Sequence, residues 1–210
     1  MTAIPSAALT TWTSDRRSHI QLAGNIAHSC PRNTPAQQVE ADLALASYLR
    51  VCCSEFQAFC AALFDEAVEA ITAHLDQADA TGVPRLTSEM SVMLVSQLTW
   101  QTKLSRGNPN MRNLIEDFDR LGINVRKAAL GATGPATIAD TRVLDDELLD
   151  ARNQLLHGEV RMGALLVGTP AAAVNEHRVN RWVQTLDRMA DTLDSVVSRD
   201  LTAPLGARPW

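Results

Sequence analysis

The chain has 210 residues, 46% of them hydrophobic, and a formal net charge of −5. That length can bury one sizeable core, and the acidic balance excludes a protein that holds duplex nucleic acid by a strongly basic surface. Charge is uneven, however: residues 1–80 hold four Lys/Arg against nine Asp/Glu, whereas residues 103–127 hold six against three, so a polyanion is expected to approach the second half.

In chain order, residues 1–33 read as a helical extension, with a short helix capped by Ser14 and running through Ile20, Leu22 and Ile26 to about His28. Cys30-Pro31-Arg32-Asn33 breaks it. Thr34-Pro35-Ala36-Gln37 is a capping-box pattern with proline at the first helical position. Val39, Leu43, Ala46, Leu49, Cys53, Phe56, Cys60, Leu63, Ala67 and Ile71 then recur at spacings of three and four, predicting one long or gently broken helix over roughly 35–79. Glu55 lies at the edge of this stripe and wants a cationic partner, for which Arg152 is the expected residue. Cys30, Cys52, Cys53 and Cys60 show no CxxC spacing and read as free, mostly buried thiols.

Thr81-Gly82-Val83-Pro84 is an expected turn, and Thr87 or Ser88 can cap a helix through Met90, Met93, Leu94, Leu98 and Trp100 toward Leu104. Residues 106–110 end it; short helices are expected over Met111–Leu121 and Val125–Leu130, then a plain turn at Gly131-Ala132-Thr133-Gly134-Pro135. A helix from Ile138 or Thr141 to His157 follows, then a linker with Gly163, Gly168 and Pro170. The last helix, about Ala172 to Leu201, puts Val179, Trp182, Leu186, Met189, Leu193 and Val197 on one side. The tail Ala203–Trp210 reads as frayed.

Strand patterning is nearly absent, with Leu165-Leu166-Val167 the one β-like stretch, so the expected class is all-α: a helical bundle with one long N-terminal helix, a C-terminal motif helix and a closing amphipathic helix. The division is 1–33 extension, 34–201 bundle and 202–210 tail. No secretory leader pattern or membrane-length apolar run occurs, so a cytoplasmic protein without membrane contact is expected. Trp12, Trp100 and Trp182 read as core or interface anchors, and His19, His28, His74 and His177 carry no assigned role.

The chemistry concentrates in Asp146–Glu159. At about 100° per residue, Leu148, Ala151, Leu155 and Leu156 form an apolar arc with Arg152 near its middle, an unusual place for arginine. Asn153 and His157, four apart, share the neighbouring stripe with Asp146 and Asp150, and Gly158 ends the helix. A histidine in the last turn sits at the negative end of the helix dipole, which favours its protonated form. The pattern points to an anion or phosphodiester site.

Arg152-Asn153-Gln154-Leu155-Leu156-His157-Gly158 resembles the signature of the HEPN superfamily (higher eukaryotes and prokaryotes nucleotide-binding): arginine, a polar residue, then histidine after a short gap. The family also opens on a long helix with a glutamate among apolar and aromatic residues, which Tyr48–Phe59 with Glu55 resembles, and closes on an amphipathic helix. The resemblance implies a helical bundle that forms a homodimer with one composite cleft. It implies a metal-independent endoribonuclease of toxin or antiviral type, with RNA as substrate and an antitoxin protein as a candidate partner. Arg152 would hold the scissile phosphate, His157 would move the proton, Asn153 would orient them and Glu55 would position Arg152. No cofactor and no metal is expected, because neither a Glu-x-x-His pair nor His-Glu-x-x-His occurs. The alternative is a non-catalytic HEPN-like helical module that dimerises or binds a partner or nucleotide.

Overall fold

The long apolar periodicity forms a single helix, α3, over Pro35–Gln77. Its 43 residues reach roughly 65 Å. The structure, a computed structural model, describes residues 4–77, 88–106, 109–126, 135–152 and 176–210. The expected turn at 81–84, most of the short helix at 125–130, the linker after the motif helix, and both Asn153 and His157 lie outside the described residues.

Thr34 starts α3 as its sequence implies, its Oγ1 accepting the Gln37 N–H at 3.2 Å while the Gln37 side chain accepts the Asn33 N–H at 3.1 Å. Two donors that the first turn cannot satisfy are thereby covered. The buried line runs from Leu45 and Leu49 through Cys53, Phe56, Cys60 and Leu63 to Ala67, but the expected first members Val39 and Leu43 are exposed. The arc is wide because α3 is covered from two sides.

One side is covered by the N-terminal segment, whose helix begins earlier than expected. Ser6 is the cap, its Oγ accepting the Leu9 N–H at 2.9 Å. Helix α1 (Ala7–Thr11), a π-helical turn (Trp12–Arg16) and α2 (Arg17–Ser29) then run on. Ser14 sits inside this run and donates its hydroxyl to the Thr10 carbonyl at 3.0 Å, so it caps nothing. Trp12 is 1% exposed and meets Phe56 edge-on at 5.9 Å and Phe59 at 5.6 Å. Helix α2 buries Ile20, Gly24 and Ala27 and leaves Leu22 and Ile26 outside, because its narrow buried face follows the close approach to Tyr48 on α3.

Helix α4 (Ser88–Thr99) and the single turn α5 (Lys103–Arg106) are followed by α6 (Met111–Asp119), which Asn110 caps through a 2.8 Å bond from the Asn113 N–H. Gly122, at φ +74°, turns the chain after α6. Buried Asp117 accepts the Leu104 N–H at 2.7 Å and so ties α5 to α6.

The expected motif helix is α7 (Ile138–Arg142), which continues as a π-helical segment over Val143–Leu148 and is α-helical again at 149–152. Helix α8 (Glu176–Leu205) closes the bundle and buries Val179, Trp182, Leu186, Met189, Leu193 and Val197, the side its periodicity assigns. The tail is not frayed: α8 extends to Leu205, and Trp210 packs partly buried against the core. Among the described residues every regular element is helical, so the all-α class holds. No helix there is long and apolar enough to cross a membrane.

Candidate functional site

Helix α7 is placed by carboxylates more than by apolar contact. Thr137 and Asp140 form a capping box: the Asp140 carboxylate accepts the Thr137 N–H at 2.8 Å, and Thr137 Oγ1 accepts the Asp140 N–H at 3.4 Å. The other Asp140 oxygen accepts from Thr185 at 3.1 Å and from the Arg188 guanidinium. Seven residues on, Glu147 accepts from Arg178 at 3.3 Å, from Trp182 Nε1 at 3.2 Å and from Arg181. The acids on α7 are seven apart, and their principal arginines on α8, Arg181 and Arg188, are seven apart in reversed order. The two helices are therefore held antiparallel by a two-rung ladder.

Burial alone would raise both carboxyls, but hydrogen bonds and guanidinium charge outweigh it and hold each below its ordinary value. At Asp140 the main counterweight is Arg188; at Glu147 it is Trp182, then Arg181 and Arg178. A third acid, Asp145, accepts the Met111 N–H at 2.9 Å at the start of α6, and burial pushes it the other way, upward. These contacts steady α7 on two sides.

Beyond the ladder, Leu148, Leu149 and Ala151 are buried, while Arg152 is half-buried at the last described turn. Asp146 and Asp150 are exposed. Arg152 lies close enough to Cys53 on α3 for its charge to oppose the upward shift that burial gives that thiol, which stands at about 12. Arg152 thus reaches α3 on its Cys53 side. Glu55 is two residues further on, about 200° around the helix, and faces elsewhere. Its carboxylate is held by Arg16 Nη1 at 2.9 Å and by His19 Nδ1 at 3.0 Å, both from the N-terminal segment. The pairing expected from the sequence is therefore replaced: Glu55 anchors α2 and the π turn before it, and His19 has a contact that the sequence reading left out.

The ladder itself was missed from the sequence. Its signal was there in the equal spacing of Asp140/Glu147 and Arg181/Arg188, which only the reversed order of two packed helices turns into pairs. Arg178 serves Glu147 and lies over the Trp182 ring at 5.3 Å. In the basic stretch, Lys103 and Arg112 share Glu116 at 3.0 and 2.8 Å, and Arg120 donates to the Trp100 carbonyl at 2.9 Å, as a solvated face would. Trp100 is exposed, so it is no core anchor. Among the described residues no group of three His, Cys, Asp or Glu converges to hold a metal ion.

No protein-family model, curated protein or solved structure matches the chain.

Proposed function

We propose that the chain is an HEPN-like endoribonuclease that acts as a homodimer, with Arg152, Asn153 and His157 as its working residues. The observation that carries this reading is the placement of Arg152: a half-buried guanidinium at the far end of a helix braced by two carboxylate–arginine rungs, with Asn153 and His157 following in sequence. An arginine fork matches phosphate oxygens two at a time. The ribose 2′-hydroxyl attacks phosphorus, Arg152 steadies the charge that develops on the phosphoryl oxygens, and His157 moves the proton. Asn153 orients the pair. The role fits a toxin or antiviral effector held in check by an antitoxin in the cytoplasm.

The test is incubation of the purified protein with RNA and with DNA of the same sequence, in excess chelator, with product ends examined for a cyclic phosphate. RNA should be cut and DNA spared. His157→Ala should lower the rate by roughly 10²-fold or more without changing the melting temperature, and Arg152→Lys should also be poorly active because an ammonium loses the two-pronged fit. Light scattering should show a dimer. Equal cutting of DNA, activity lost to chelator, or a fully active His157→Ala dimer would each overturn the mechanism.

One observation favours a second reading, a non-catalytic dimerisation or partner-binding module. Met90, Val92, Met93 and Trp100 along α4 and its end are all more than half exposed, an apolar face of the kind partners cover. Wild-type protein that dimerises but cleaves no RNA would decide for it.

A further inference from the structure

Helix α3 is packed by α2 on one flank and by α8 on another, yet one stripe of it stays uncovered. Glu40, Leu43, Ser47 and Arg50 are all exposed and recur at spacings of three and four, so they share a face over about 15 Å of helix. Ser54 continues the stripe, about 100° around α3 from Cys53, the side that Arg152 reaches. The serines keep this face low and closed. Ser47 donates its hydroxyl to the Leu43 carbonyl at 2.9 Å and Ser54 donates to the Val51 carbonyl at 3.0 Å, so both polar groups are satisfied on α3 itself and a second helix can pass closely over them.

Helix α2 adds an apolar bank. The two helices run antiparallel, since Arg16, just before α2, reaches Glu55 whereas Gly24 reaches Tyr48. His19 also meets Glu55, and Leu22 and Ile26, one and two turns further along the same side of α2, are 61% and 55% exposed on the flank of the stripe. The ends of the stripe are charged and opposite in sign. Glu40 and Arg50 are exposed, and among the described residues neither has a partner within the chain. Such a face complements itself. In an antiparallel pair of α3 helices with the two-fold axis between Leu43 and Ser47, Glu40 of each copy faces Arg50 of the other, and Leu43 of each lies over the small Ser47 of the other. A foreign protein needs no such symmetry of charge and size.

We propose that this stripe of α3 is a self-association face that docks, antiparallel, on the same stripe of another copy of this chain. It lies apart from the motif-helix contact of the ribonuclease reading and does not depend on it. With this contact alone two chains pair; with both contacts made, four chains assemble. In either case its loss halves the mass.

Light scattering on the full chain and its charge-reversed variants tests it. Glu40→Arg and Arg50→Glu should each weaken association about 10-fold or more, because each turns two attractive pairs into two repulsive ones. The double variant Glu40→Arg/Arg50→Glu should restore it. So should an equimolar mixture of the two single variants, in which every contact between unlike chains again sets acid against base. Rescue cannot arise inside one chain, where about 15 Å separates the two positions, beyond the screening length at ordinary salt. Leu43→Asp should halve the mass with unchanged far-ultraviolet circular dichroism, since the position is exposed in the single chain. A mass that Leu43→Asp leaves unchanged, or a double variant that associates no better than either single one, would overturn the proposal.

Discussion

Asp140 is 4% exposed yet kept ionised, because Arg188, Thr185 and Thr137 all donate to it. A carboxyl held below its ordinary value in the fold contributes stability above the ordinary carboxylate range and loses it as pH falls through that range toward the depressed value. Asp140→Asn should therefore cost about 1–3 kcal/mol at neutral pH, less than a fully buried pair because Arg188 is partly exposed. The gap between wild type and variant should close as pH drops below about 4. Urea unfolding across that range checks it; a gap that stays constant with pH would show that the rung contributes nothing through its charge. Asp187 and Asp194 are shifted the opposite way, raised first by burial, so their contributions favour acid and partly mask the trend in the wild type alone.

At the scale of elements, the start of α3 is the clearest case of local chemistry deciding structure. Thr34→Ala should cost about 1 kcal/mol, read as a lower urea midpoint with an unchanged slope; no shift would mean that the Gln37 contact to Asn33 suffices. Such caps were legible because they depend on neighbours in sequence. The long periodicities of α3 and α8 were legible too, since a core helix must repeat at 3.6 residues. The π-helical segments were not. A π segment admits an extra residue to the turn and rotates every later side chain by about 100°, so a wheel drawn at one angle through 146–152 misplaces the residues against their partners. The Glu55 assignment failed for a related reason: sequence shows that a carboxylate needs a cation but not which side of the helix it faces. Ser14 looked like a cap only because Ser6, eight residues earlier, already performs that role.

For the whole molecule, residues 6–29 are core and not an appendage. Trp12 fills the space beside Phe56 and Phe59 and donates to Asp187 at 3.1 Å, and Glu66 on α3 receives the Ala7 and Ala8 N–H groups at 2.9 and 3.0 Å. A chain beginning at residue 34 would bare the aromatic side of α3 and strand the Glu55, Glu66 and Asp187 carboxylates. It should fail to unfold cooperatively and should aggregate. A sharp thermal transition near that of the full chain would contradict this account.

The same docking bears on how the protein is made. The Ser6 N–H donates to Asp194 at 3.2 Å, a contact that spans 188 residues. Helix α1 therefore meets one of its partners only after α8 has emerged from the ribosome. Trp12 can settle early against Phe56 and Phe59, but the seat it shares with Asp187 stays unfinished until α8 has been made. Loop closure over such a distance is slow relative to local helix formation. The nascent chain must carry its apolar α3 half-covered until α8 is made, a window in which a chaperone, or a second nascent copy, has an opportunity to bind it.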